Sequence, residues 1–325
     1  MKLTRPSVGI YIRHVFLSFR WQARFHSDDK QLSIDEFMAQ LFSCLGGVSF
    51  SFATIACVPF TSGCRVLEPR AIEAHHCNFP SDLNCEHEPQ FERGKPRPVI
   101  DGIGWVTGIP SKLVLWNRRA ENHIITPHTE EIMAEYLAVN GLDEVKVRLN
   151  QYRPIDDWRR LTRNTGVAWP LRYTFGAVSV LGETIIPGRL LGGDHYNPYT
   201  GTIHLYSDLP SIALHESAHA KDFSRRTYPG TYAAIYGLPG VPLWHERIAT
   251  NDVLAYVDYQ NDIPLRREAY QVLYPAYGTY VGSALGNVLP LASTPLYVGG
   301  VIGGHINGRV RADEPIQSGT EHAVP

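Results

Sequence analysis

His215-Glu216-Ser217-Ala218-His219 sets two imidazoles at i and i+4 with a carboxylate beside the first. On a helix those positions share a face, so both rings reach one metal ion while Glu216 flanks it. The chemistry this pattern suits is metal-assisted hydrolysis, with zinc activating water and the carboxylate acting as general base. Hydrolytic zinc takes three protein ligands and leaves a fourth position for water, so a further donor must come from elsewhere in the chain. Residues 242–254 read as a second helix opened by Pro242, on which Glu246, Ala249, Thr250 and Val253 share a face. The small Ala249 lets two helices approach, which favours Glu246 as the third ligand. His245 is the alternative, but neighbouring side chains point about 100° apart on a helix, so only one of the pair can face the ion. Asp222 follows on the pentad's own face and is expected to hydrogen-bond a ligand imidazole or approach the metal.

The elements that must position these groups are legible around them. Thr202-Ile203-His204-Leu205-Tyr206 alternates apolar and polar residues and predicts a half-buried strand. A helix follows, with Ser207 or Asp208 as N-cap, Pro210 in the first turn, an apolar stripe of Ile212, Ala213, Leu214, Ala218 and Phe223, and Tyr228-Pro229-Gly230 as its stop. The plain alternative is an amphipathic helix whose two histidines are surface residues. Residues 192–201, rich in turn formers and polar aromatics, predict a loop on the substrate side. A hydrogen-bond donor beside a developing oxyanion could come from His195, Tyr196, Tyr199, Tyr228 or Tyr232.

Over about positions 200–260 the chain resembles the gluzincin group of zinc metallopeptidases, in which H-E-x-x-H is followed on a later helix by a Glu ligand, often within E-x-x-x-D. The resemblance implies a zincin-like α+β fold with the active-site helix following an edge strand. It also implies one zinc ion per chain on His215, His219 and Glu246, Glu216 as general base, and a peptide or protein substrate. The chain departs from the pattern at Thr250, where the family has Asp; the nearest acid is Asp252. A metzincin continuation would need Gly at 222 and His or Asp at 225, where this chain has Asp222 and Arg225.

With 325 residues, 44% hydrophobic and 19% charged, the chain can bury a full core, and a net charge of −2 offers no electrostatic case for nucleic acid. Residues 41–60 carry no charge and suit an export segment. Thr61-Ser62-Gly63-Cys64 then resembles a bacterial lipobox, which implies lipidation of Cys64 and a place in the bacterial cell envelope; an Arg-rich opening also fits a mitochondrial transit peptide. If Cys44 and Cys57 leave with that leader, Cys77 and Cys85 remain as an even pair for a disulfide, or join His75, His76 and His87 in a second metal cluster. Glu88 to Arg97 is polar and proline-bearing, as a linker is, and a helix over 130–139 and a strand over 144–149 follow.

Near the C-terminus, Tyr277 to Ile306 carries no charged residue, and glycine recurs at Gly282, Gly286, Gly300, Gly304 and Gly308. Such spacing lets helices approach closely in a membrane. It resembles the glycine-zipper segments of envelope proteins, and equally suits a buried hairpin divided by Pro290 and Pro295. The expected organisation is a leader over 1–64, a linker over 65–100, a zincin-like domain over 101–272, a glycine-zipper segment over 273–310 and a polar tail over 311–325. Two functions remain open: a membrane-tethered zinc peptidase, with hydrolysis of a cell-wall amide as a variant of the same site, or a non-catalytic envelope lipoprotein or scaffold whose pentad binds zinc structurally or not at all.

Overall fold

Proline sets the start of most helices. In the computed structural model, which describes residues 89–315 apart from Pro239, α1 (Pro98–Thr107), α2 (Ile109–Leu115), α3 (Pro127–Val139) and α4 (Pro154–Arg163) each carry Pro in the first turn, where its missing N–H leaves no helical bond unmade. Helical turns over 169–176 lead into α5 (Ala177–Ile185) and α6 (Gly188–Leu191). The pentad helix α7 (Pro210–Ser224), α8 (Pro229–Ala234), α9 (Val241–Gln260), α10 (Ile263–Val288) and α11 (Ser293–Asp313) complete a mixed α+β chain rich in helix. The expected leader with Cys64, and the Cys77 and Cys85 pair, lie outside the described residues, as does the tail beyond 315.

Four short strands, β1 (Phe91–Arg93), β2 (Lys146–Leu149), β3 (His195–Asn197) and β4 (Thr202–Leu205), form one sheet in the order β1-β2-β4-β3. β1, β2 and β4 run parallel, and β3 is antiparallel to β4. Two sequence expectations are corrected here. The polar stretch before Arg97 contributes β1 rather than a bare linker. The strand leading into the pentad helix is interior, because part of the expected loop, His195–Asn197, pairs outside it as the edge strand.

Alternation divides the sheet by chemistry. Val147, Leu149, Ile203 and Leu205 pack with Met133 and Leu137 of α3 and with Ala213 and Ala220 of α7. The intervening Arg148 and His204 therefore lie on the opposite face, where carboxylates of α4 and α5 meet them. The other side of α7 packs Leu214 and Ala218 against Ala249 and Val253 of α9 and Leu273 of α10. Being enclosed on both sides, α7 is buried along most of its length.

The helix start differs from expectation. Leu209 is the N-cap, because Asp208 accepts bonds from Thr126 and Thr129 at the start of α3, and Ser207 bonds Glu121 N–H and Asp194. The open Ser211 N–H is instead met by Glu268 of α10 at 3.0 Å. The helix stops at Ser224, short of Tyr228-Pro229-Gly230.

The C-terminal glycines belong to an antiparallel helical hairpin. α10 runs unbroken through the expected domain boundary at 272, and no helix among the described residues is long and apolar enough to cross a membrane. Gly278 faces Gly300, Gly282 faces Leu296 and Tyr297, and Gly304 lies against the backbone of Tyr274 and Pro275. A Cβ at Gly304 would overlap backbone that cannot rotate away, whereas one at Gly303 meets nothing. Gly304→Ala should therefore cost about 1–3 kcal/mol in urea unfolding, while Gly303→Ala should be neutral or gain up to about 1 kcal/mol from helix propensity.

Candidate metal centre

His215 and His219 follow Leu214 and Ala218 along α7 and so emerge beside the seam packed on α9. Ala218 and Ala249 are both fully buried at that seam, and their small size brings Glu246, one turn before Ala249, over the two imidazoles. Glu246 Oε2 lies 3.0 Å from His215 Nε2 and 3.5 Å from His219 Nε2, and the two Nε2 atoms are 3.2 Å apart. Donors about 2.0–2.1 Å from a tetrahedral zinc ion stand roughly 3.3 Å apart, so the triangle has the size that such an ion requires. Its composition fits as well, since two imidazoles and one carboxylate form a hydrolytic zinc donor set.

The electrostatics follow from this convergence. Burial alone would lower the His219 pKa, but the Glu246 carboxylate overrides it and lifts the imidazole to about 9. Burial pushes Glu246 the other way, and the charge on His219 with hydrogen bonds from both rings holds it well below the usual carboxylate range. Glu246 Oε1 accepts a 3.0 Å bond from the Tyr236 hydroxyl, and the Tyr280 hydroxyl also reaches this carboxylate. Tyrosines at this spot resist ionisation, first through burial and then through Glu246. Glu216 is 7% exposed, and its burial raises its pKa against the pull of His219 and His215.

Other predicted residues have separate partners. Asp222 accepts from Arg226 and from the Tyr232 hydroxyl, not from a ligand imidazole, although its charge helps to raise His219. Asp252 takes Lys221 Nζ at 2.6 Å and the Tyr136 hydroxyl, tying α9 to α7 and α3. Thr250 is buried on α9. His245 stacks on Tyr232 with ring centres 4.1 Å apart, and both its nitrogens are buried without a hydrogen bond. Burial pushes its pKa down to about 3, so it is a neutral ring in an aromatic cluster rather than the third donor.

Of the hydroxyls weighed for an oxyanion, Tyr228 is largely exposed, Tyr232 is engaged with Asp222, and Tyr199 packs in the core beside Leu161 and Val180. Tyr196 packs from β3 against Phe223. His195 bonds Glu183 and also feels the charge of Glu216.

No family model, curated protein or solved structure matches this chain. The site stands on its own geometry. Tyr236 and Tyr280 are the residues that sequence reasoning missed. Each is a single tyrosine, one on a short turn before α9 and one far along α10, and neither completes a spacing pattern with the pentad.

After zinc loading and dialysis, His219→Ala and Glu246→Ala should each bind one zinc equivalent fewer than the parent by elemental analysis. Tyr236→Phe keeps the ligand but releases its Oε1, so zinc affinity measured by competition with a chromophoric chelator should fall by about 10-fold or more.

Proposed function

We propose that this chain is a zinc-dependent metallopeptidase that hydrolyses peptide bonds, with His215, His219 and Glu246 as the metal ligands and Glu216 as general base. The observation that carries the proposal is the convergence of three donor atoms from two helices at the size of a tetrahedral site, with a second buried carboxylate next in sequence to the first ligand. Zinc held there supplies Lewis acidity, bringing a water's pKa towards about seven and polarising a carbonyl oxygen.

The protein's own groups do the rest. Glu216, whose burial raises its proton affinity, accepts a proton from the attacking water and returns it to the leaving amine. Tyr236 and Tyr280 keep Glu246 from turning away, which fixes the direction from which the carboxylate faces both rings. Beyond β3, no strand among the described residues pairs with the sheet. An extended peptide could add there by backbone hydrogen bonds, which suits a protein or peptide substrate. The proposal places the enzyme at the bacterial cell envelope, tethered through Cys64; the support for that part is the lipobox-like sequence alone.

The test is Glu216→Gln, assayed on a mixture of peptides with varied residues about the scissile bond and read by mass spectrometry. Hydrolysis should fall by about 10²–10⁴-fold while bound zinc stays at the parent level. Zinc retained with no cleavage by the parent itself would favour the structural or scaffold reading instead.

A further inference from the structure

On the sheet face opposite the α7 core, register sets three basic side chains in a row: Arg148 of β2 faces His204 of β4, which faces His195 of β3. Arg148 is neutralised by Asp156 and Asp157 of α4, at 2.5 and 2.9 Å. Among the described residues, Glu183 of α5 is the carboxylate set between the two histidines. His195 Nε2 lies 3.1 Å from Glu183 Oε1, and that same oxygen accepts from Asn197 Nδ2 at 2.6 Å. Glu183 Oε2 has no hydrogen-bond partner and neither has His204 Nε2; both are buried, and they stand 3.9 Å apart. His204 is only 4% exposed.

An ion pair between His195 and Glu183 accounts for one side of this cluster and leaves the other unexplained. At 3.9 Å the orphaned pair is too far apart for a direct hydrogen bond. A buried carboxylate oxygen and a buried imidazole nitrogen that face one another with no hydrogen bond are costly, and a cation between them removes that cost. The donor types agree, since imidazole nitrogens with one carboxylate suit zinc and the other late first-row divalent ions. His195 Nδ1 lies 2.8 Å from the Gly193 carbonyl, so it donates there and turns Nε2 towards the cluster. That carbonyl contact is the support a metal-ligating imidazole ordinarily receives.

We propose that Glu183, His195 and His204 form a second divalent-metal site, separate from the pentad and completed by water, that takes zinc or a similar late first-row ion. All three donors lie within 4.8 Å of one another, and binding draws the stacked His195 and His204 rings together at the sheet edge. The site does not rest on the peptidase reading, because none of its ligands belongs to α7 or α9.

The test uses the full chain, stripped with a chelator, reloaded with zinc or cobalt(II) and dialysed. The parent should hold two equivalents. Glu183→Gln and His219→Ala should each hold one, and the double variant none, with far-ultraviolet circular dichroism unchanged. Cobalt absorption should then resolve two separately deletable spectra. Should Glu183→Gln fail to fold, His195→Ala, at the partly exposed rim, tests the same ligand set. A parent that holds one ion, kept by Glu183→Gln and His195→Ala and lost in His219→Ala, would overturn the second site. One ion lost in Glu183→Gln and kept in His219→Ala would support it while removing the metal from the pentad.

Discussion

A carboxylate buried against two imidazole nitrogens governs how the centre of this protein is built. Three atoms with lone pairs, all within 3.5 Å of one another, repel unless a proton or a cation lies between them. The Glu246 carboxylate raises the pKa of His219 despite its burial, and the charge on His219 with hydrogen bonds from the rings holds Glu246 well below the usual carboxylate range. The arrangement persists only if the side chains have nowhere else to go. Alanines at the α7–α9 seam bring the backbones close, and Tyr236 occupies the carboxylate oxygen that faces away from the rings.

Holding α7 in that position takes a second set of buried charges. Lys221 of α7, Asp252 of α9 and Tyr136 of α3 meet at one point, so three helices are registered by one ion pair and one hydroxyl. Such pairs add little net stability compared with apolar packing, but removing one partner strands the other, which fixes the arrangement. Asp222 acts similarly for the segment after α7, through Arg226 and Tyr232. Glu268 reaches across from α10 to meet the first turn of α7. Asp222 and Asp252 thus act one layer out from the His215, His219 and Glu246 cluster, on the helices that carry it.

What the sequence revealed follows from range. The pentad's i, i+4 spacing, the strand before it, the Pro242 helix and the small Ala249 are local patterns, and together they brought His215, His219 and Glu246 to one place. Edge strand β3 was hidden because its three residues lie among Gly193, Pro198 and Gly201, which read as turn chemistry. Asp208, like Ser207, suits an N-cap by type and position. Its preference for Thr126 and Thr129 depends on α3 lying beside it, a long-range fact. His204 looked like the polar member of an alternating strand; its opposition to His195 exists only once β3 and β4 pair.

The glycine pattern was legible as close helix approach, but its consequence for the site was not. Gly278, Gly282 and Gly304 let α11 lie directly on the backbone of α10. α10 in turn contributes Leu273 to the core beneath α7, Glu268 to the start of that helix and Tyr280 to the Glu246 carboxylate. A boundary drawn at 272 therefore cuts through α10, a helix that packs on the candidate site. Bulk inserted between the two hairpin helices displaces α10 or α11, and a displaced α10 loosens Glu246 and the N-terminal turn of α7 together. The hairpin is thus a structural wall of the His215, His219 and Glu246 cluster, whatever further surface its outer helix serves.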